Sequence, residues 1–180
     1  MVSAGGARAV FLDRDGVLTV PEFRDGRSFA PRRVEDFRLY EDAAASLKRL
    51  KTAGFTLVVV TNQPDVGNGL VEQAVVEEMH RRLAAELPVD AVEVCYHRQA
   101  DRCDCRKPKP GMLRRAAERL GLDCRRSFMV GDRGSDVAAG HALGCATILI
   151  ERGYRGEHPG VPDHTVRSLA EAAEIVLGRD

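Results

Sequence analysis

Ala9-Val10-Phe11-Leu12-Asp13-Arg14-Asp15-Gly16 is an apolar run that ends on two carboxylates and a glycine. Four apolar residues in succession, without polar alternation, read as a strand buried on both faces. That is the mark of a parallel sheet covered by helices. The runs Phe55–Val60, Ala91–Tyr96, Phe128–Val130 and Ala146–Ile150 repeat the pattern. Amphipathic stretches lie between them: 42–53 stopped by Gly54, 71–87, 112–120 stopped by Gly121, 136–143 stopped by Gly144, and 169–177. Strand and helix alternating in this way predict an α/β fold, a Rossmann-like three-layer sandwich with a mostly parallel central sheet.

The chain has 180 residues, which suits one domain spanning 1–180. Lys plus Arg is 27 and Asp plus Glu is 27, so the formal charge is zero. That balance argues against a general nucleic-acid or anionic-membrane binder, but it leaves room for a small basic pocket. No basic start precedes a long apolar run, and the longest strongly apolar stretch, 55–60, is far short of the ~20 residues a membrane span needs. Five cysteines is an odd number, so one chain cannot pair them all. Free thiols make a reducing cytoplasm the expected compartment.

In open α/β sheets, ligands bind beyond the carboxyl ends of the strands. Asp13 and Asp15, two residues apart at the end of the first strand, can share one small site. They can help hold a divalent cation while one acts as nucleophile and the other as general acid and then base. Thr61 and Asn62 end the second strand and can donate to phosphate oxygens. Asp132 ends the fourth strand and could complete a cation site. Asp136 could orient that site or simply cap a helix. Lys107, in Arg106-Lys107-Pro108-Lys109-Pro110 after the third strand, could neutralise a transferred phosphoryl group.

Cys95, His97, Cys103 and Cys105 form C-x-H-x5-C-x-C. Three thiolates and one imidazole are a full tetrahedral set for structural zinc, and the spacing differs from that of a DNA-reading finger. Cys124 and Cys145 read as small core or surface residues. His80, His141, His158 and His164 have no partner at ligand spacing and read as surface or helix residues. The stretch from Glu151 to His164 reads as a loop of no legible function.

A DxD, a Thr, a Lys and a GDxxxD, each at the end of a successive strand, resemble the four motifs of the haloacid-dehalogenase-like phosphohydrolases, from Ala9 to about Ile150. The resemblance implies a phosphatase. In it Asp13 is the nucleophile that forms an aspartyl-phosphate, and Asp15 is the acid and then the base. Thr61 and Lys107 stabilise the phosphoryl group. Asp13, the backbone carbonyl of Asp15, and Asp132 would hold Mg²⁺. The stretches CRKPKPGM, VVVTNQPDVGNG and MVGDRGSD are similar to the D-glycero-D-manno-heptose 1,7-bisphosphate and histidinol-phosphate phosphatases. That similarity adds Zn²⁺ and makes Asn62, Arg106 and Arg133 substrate-binding residues. The implied partner is a small phosphorylated substrate, most simply the heptose bisphosphate.

The chain departs from the heptose pattern at Asp15–Thr19, at Pro64-Asp65-Val66 and in its compact zinc loop. It also carries Arg24, Arg27, Arg32 and Arg33 in a long segment that could bind a second phosphate or form a solvated hairpin. No insertion is large enough for a cap domain, and a capless chain is compatible with a monomer. Histidinol-phosphate phosphatase stands as the alternative enzyme. A zinc-held nucleic-acid module is the distant one, disfavoured because only Tyr96 lies among the basic residues of that loop.

Overall fold

The computed structural model describes residues 6–155, 158 and 160–178. Six parallel strands form the central sheet: β1 (Ala9–Leu12), β4 (Thr56–Asn62), β5 (Ala91–Cys95), β6 (Phe128–Gly131), β7 (Ala146–Ile150) and β8 (His164–Val166). They lie in the order β5-β4-β1-β6-β7-β8, so the DxD strand is central. Ala9 to Leu12 register with Thr56 to Val59 on one side, and Val10 to Leu12 with Phe128 to Val130 on the other.

The continuous apolar strands bury both faces, and alternate residues serve separate cores. Val10, Leu12, Leu57 and Val59 pack with α1 (Ala43–Thr52), α3 (Gln73–Glu86) and α6 (Leu169–Leu177) through Leu47, Leu50, Met79, Leu83 and Ala172. Ala9, Phe11, Val58 and Val60 pack on the opposite face with α4 (Gly111–Leu120) and α5 (Gly134–His141) through Met112, Leu113, Ala116 and Ala139. Each fully buried large apolar side chain contributes about 1.5–3 kcal/mol, which is why the period-2 division of the strands is so strictly kept. The expected three-layer sandwich is therefore present. Element ends differ from the sequence reading by a few residues. The carboxyl end of β4 runs on through Thr61 and Asn62, and a short helix, α2 (Pro64–Gly67), follows it.

Between β1 and β4 there is no cap domain. The segment holds an antiparallel hairpin, β2 (Glu22–Arg24) with β3 (Arg27–Phe29), then a single 3-10 turn at Val34–Asp36 and α1. The two loop residues, Asp25 and Gly26, have φ of 52° and 76°. Both being positive matches the primed turn whose twist suits a two-residue hairpin. The hairpin leans on the segment after β7: Arg155 N–H donates to Gly26 O at 3.2 Å. No helix among the described residues is long and apolar enough to cross a membrane.

Candidate active site

The carboxyl ends of β1, β4, β5 and β6 converge, and each delivers polar residues to one point. Asp13 follows β1, and its N–H donates to Val130 O on β6 at 3.0 Å. Asp13 as a whole is only 8% exposed. Lys107 Nζ reaches it from the loop after β5, 2.8 Å from Asp13 Oδ1, while also 2.6 Å from Asp136 Oδ1 and 2.7 Å from Val60 O. One ammonium with three acceptors is fully satisfied, which a buried lysine needs. Burial alone would depress the Lys107 pKa, yet Asp13 and Asp136 together hold it above the ordinary lysine range. Burial drives Asp13 up to about 6 against the pull of Lys107, with Asp136 adding to the rise.

Asp136 sits in the first turn of α5, caps it and also reaches Lys107. Its Oδ2 accepts from Asp132 N–H at 3.2 Å and Arg133 N–H at 3.0 Å, capping the helix, while Oδ1 meets Lys107. Gly131 is required here, because a Cβ at that position would strike the Asp136 carboxylate.

Asp132 is buried, and Tyr154 OH donates to its Oδ2 at 2.6 Å. Its Oδ1 is buried with no hydrogen-bond partner among the described residues. Burial, followed by the charges of Asp13 and Asp136, raises its pKa well above the carboxylate range. An unpaired oxygen this deep costs about 1–3 kcal/mol unless something binds it. Asp13, Asp132 and Asp136 offer oxygens within 4.8 Å of one another. Hard carboxylate oxygens at this spacing, one of them unpartnered, fit a divalent cation such as Mg²⁺.

Asp15 is held from three sides. Thr19 Oγ1 donates to Oδ1 at 3.0 Å, Gln63 Nε2 to Oδ2 at 2.8 Å, and Arg14 Nε to Oδ2 at 3.1 Å. Gln63 also donates to Thr61 Oγ1 at 2.9 Å, which leaves the Thr61 hydroxyl proton free to donate elsewhere. Asn62 is engaged differently from the expectation that it faces substrate. Its Nδ2 donates to Lys107 O at 3.1 Å and its Oδ1 accepts from Lys107 N–H at 3.0 Å, so it pins the lysine's backbone.

The thiol cluster lies one step away. Cys95 ends β5, and His97, Cys103 and Cys105 fold back so that all four donor atoms lie within 4.8 Å of one another. Cys95 Sγ is 3.8 Å from Cys103 Sγ and 3.0 Å from Cys105 Sγ, and His97 Nδ1 is 3.2 Å from Cys105 Sγ. A zinc tetrahedron with bonds of about 2.3 Å has edges of about 3.8 Å, so the cluster fits that ion with little movement. Burial pushes the Cys95 thiol up to about 12. A strongly charged partner is what would keep such donors deprotonated together. Cys105 is followed directly by Arg106 and Lys107, so whatever fixes the cluster fixes both cations.

Around the mouth, Arg133 Nη2 donates to Ser28 Oγ at 2.6 Å and Ser28 O at 3.1 Å, joining α5 to the hairpin. Arg106 Nη1 is buried without a hydrogen-bond partner among the described residues. Of the four hairpin-segment arginines, Arg32 pairs with Asp65 at 2.7 Å, Arg33 with Glu35 at 3.3 Å and Arg24 with Glu22 at 3.4 Å.

Sequence reasoning did not find Arg14, His80, Gln63 or Tyr154. His80 is buried rather than superficial, and its Nε2 lies 3.0 Å from Nη1 of the fully buried Arg14. Gln63 stood beside Thr61 in the same motif, and that adjacency was the available signal. Tyr154 lies in a segment without periodicity and carried none.

Residues 104–172 match the HAD-hydrolase-like family model. The chain is 36% identical to the D-glycero-beta-D-manno-heptose-1,7-bisphosphate 7-phosphatase of Pseudomonas aeruginosa over 177 residues, covering 93% of this chain and 97% of that one. It is 37% identical to the D-glycero-alpha-D-manno-heptose-1,7-bisphosphate 7-phosphatase of Mycobacterium bovis, covering 96% and 93%. Among solved structures, D,D-heptose 1,7-bisphosphate phosphatase from B. bronchiseptica, complexed with magnesium and phosphate, superposes with a TM-score of 0.79 at 31% identity. That match covers 96% of this chain and 99% of that one.

Proposed function

This chain belongs to the haloacid-dehalogenase-like phosphatases, in the heptose-1,7-bisphosphate 7-phosphatase branch, and from that membership we infer that it hydrolyses one phosphate monoester of D-glycero-D-manno-heptose 1,7-bisphosphate. The observation that carries the reading is the buried Asp13 carboxylate held by Lys107 beside an Asp132 oxygen that nothing among the described residues satisfies.

Asp13 is the nucleophile: an oxygen of its carboxylate bonds to phosphorus as the bond to the sugar oxygen breaks, giving an aspartyl-phosphate. Asp15 gives its proton to the departing sugar alkoxide. It then takes one from the water that attacks phosphorus, which frees Asp13 and releases inorganic phosphate. Thr19, Gln63 and Arg14 fix where Asp15 can point. Lys107 and the Thr61 hydroxyl stabilise the charge that gathers on the phosphoryl oxygens. Asp13, the backbone carbonyl of Asp15, and Asp132 would hold Mg²⁺, which offsets the repulsion between an anionic nucleophile and an anionic substrate. Arg106 and Arg133 are read as substrate contacts. The unpartnered Arg106 Nη1 supports its assignment, because such a group is costly unless an anion completes it. Asn62 serves the substrate indirectly, through the Lys107 backbone.

Zn²⁺ at Cys95, His97, Cys103 and Cys105 is read as structural. Residues 1–180 are read as one catalytic domain working as a monomer on a small phosphorylated sugar. A cytoplasmic location is supported by the five unpaired cysteines. The deciding experiment measures phosphate release, with Mg²⁺, from both anomers of the heptose bisphosphate and from histidinol phosphate side by side. Preference for a heptose anomer by at least tenfold in kcat/KM is expected. Equal or better turnover of histidinol phosphate sinks the substrate assignment while leaving the phosphatase chemistry in place.

A further inference from the structure

The segment after β7 carries a side chain that touches the proposed cation site and that the mechanism above does not use. Tyr154 OH donates to Asp132 Oδ2 at 2.6 Å, the one hydrogen bond that this carboxylate's side chain makes among the described residues. Three further observations show that the contact is built rather than incidental. First, Gly16 adopts φ 91°, and a Cβ there would collide with Asp132 Oδ2 and come within 2.8 Å of the Tyr154 hydroxyl. The glycine of the DxDG run therefore clears the space in which this hydrogen bond forms. Second, the tyrosine ring is fixed on two sides, 5.9 Å from the Phe23 ring of the hairpin and 5.5 Å beneath the Arg133 guanidinium. Third, the same segment is anchored back to the DxD turn, because Arg152 Nε donates to Gly16 O at 2.9 Å.

We propose that Tyr154 is a positioning residue for the cation site: by holding Oδ2 of Asp132 it fixes that carboxylate, which lies in the Asp13–Asp132–Asp136 cluster, and leaves its Oδ1 unpartnered among the described residues. The inference rests on reading Asp132 as a Mg²⁺ ligand. A carboxylate with one oxygen bound by a hydroxyl and the other free is pre-oriented. Without the hydroxyl it has two unsatisfied buried oxygens and can rotate, so each binding event must restore its orientation. Partners that orient a ligand in this way are worth 10–100-fold in metal affinity.

The test uses the full chain dialysed free of Mg²⁺. Binding is followed by the rise in melting temperature on titrating MgCl₂, and the Mg²⁺ concentration for half-maximal phosphatase activity is measured in parallel. Tyr154→Phe keeps the ring between Phe23 and Arg133 and removes only the hydroxyl. It is expected to raise the half-saturating Mg²⁺ by about tenfold in both readouts, with kcat at saturating Mg²⁺ within about twofold of the parent. Phe23→Ala keeps the hydroxyl and loosens the hairpin, and should leave the Mg²⁺ constant within twofold. Asp132→Asn should abolish the thermal response. An unchanged or lowered constant in Tyr154→Phe, with the response lost in Asp132→Asn, overturns the proposal and spares the ligand assignment. A shift in Phe23→Ala equal to that in Tyr154→Phe also overturns it, since loosening alone would then suffice. A full response in Asp132→Asn overturns the ligand assignment and the proposal with it.

Discussion

The floor of the site and its rim are built on opposite terms. On the floor, Asp13, Lys107, Asp132 and Asp136 are buried, the Lys107 ammonium joins Asp13 to Asp136, and Asp136 in turn accepts from the Asp132 N–H. On the rim, Phe23 is 55% exposed, Arg24 lies over the Phe29 ring at 4.4 Å, and Arg133 ties α5 to a hairpin only three residues wide on each strand. Charges in a buried cluster cannot be exchanged one at a time without leaving another uncompensated. Rim residues can be exchanged, because water replaces what they lose. The floor is thus constrained to one chemistry, phosphoryl transfer, and the rim is free to select what carries the phosphate.

The largest expected effect lies on the floor. Asp13→Asn keeps the size of the side chain and leaves Lys107 its bond to Asp136, so the fold should persist. Turnover should fall by on the order of 10⁴-fold or more, as it does when a covalent nucleophile is removed. Steady-state phosphate release beside a circular dichroism spectrum checks both halves. A variant folded and within tenfold of the parent would end the nucleophile assignment and with it the contrast. Next comes the joint between the regions. Cys105→Ser should lower bound zinc from about one ion per chain, read by elemental analysis. It should also cut kcat/KM by on the order of 10²-fold, since displacements near 1 Å cost that much. If zinc is lost while both KM and kcat hold, the cluster does not place Arg106 and Lys107.

The two regions also differed in how far they could be read beforehand. The floor follows from rules that act locally. Continuous apolar runs such as Phe55–Val60 make double-faced strands, and polar residues at their carboxyl ends face a common crevice. Each of Asp13, Thr61, Lys107 and Asp132 is a modest signal alone, and it is their order along the chain, which resembles the haloacid-dehalogenase-like motifs, that made them legible together. The rim depends on contacts between distant segments. The strand His164–Val166 has one buried residue and no run to announce it. Asp25-Gly26 carries the primed-turn signal, and the solvated hairpin that it allows, one of the two readings open for the arginine-rich segment, is present as β2 and β3. Tyr154 meets Asp132 across 22 residues and Arg14 meets His80 across 66, and no periodicity marks either pair. A histidine on an amphipathic helix reads as superficial. Its burial is decided by Arg14, whose position inside the DxD motif gave no sign that its side chain turns into the core.

A smaller effect is expected at the rim. Arg106→Ala removes a guanidinium whose Nη1 is buried and unpartnered in the free protein. Catalytic efficiency should fall by about 10–100-fold, chiefly in KM, as a charged phosphate contact is worth ~1.5–3 kcal/mol. Stability should be unchanged or slightly higher, because the orphaned N–H disappears with the side chain. A fall in melting temperature beyond about 4 °C, near 1–2 kcal/mol for a chain of this size, would make Arg106 a structural residue.

The smallest effect on activity, and the sharpest on pH, is expected at His80, beneath the floor. Burial first, and then the facing Arg14 guanidinium, hold His80 at about 4, against the opposing pull of Asp15. Its neutral Nε2 can therefore accept from Arg14, which in turn holds Asp15 at 2.9 Å. Above the ordinary value of 6.5 neither the folded nor the unfolded chain protonates this imidazole, so it adds no pH dependence. As pH falls from 6.5 toward 4, the unfolded chain gains a proton that the folded chain refuses, and stability drops by about 1.4 kcal/mol per pH unit from this group alone. His80→Gln keeps an acceptor for Arg14 and removes the titration. Urea unfolding at pH 7.5 and pH 5 should show the parent losing about 2 kcal/mol more than the variant over that interval. Glu77 and Arg81 flank His80 on the surface of α3 and are present in both proteins, so their contribution cancels. Equal losses would mean that His80 is protonated in the folded chain, and the Arg14 contact would then be a repulsion rather than a support for Asp15.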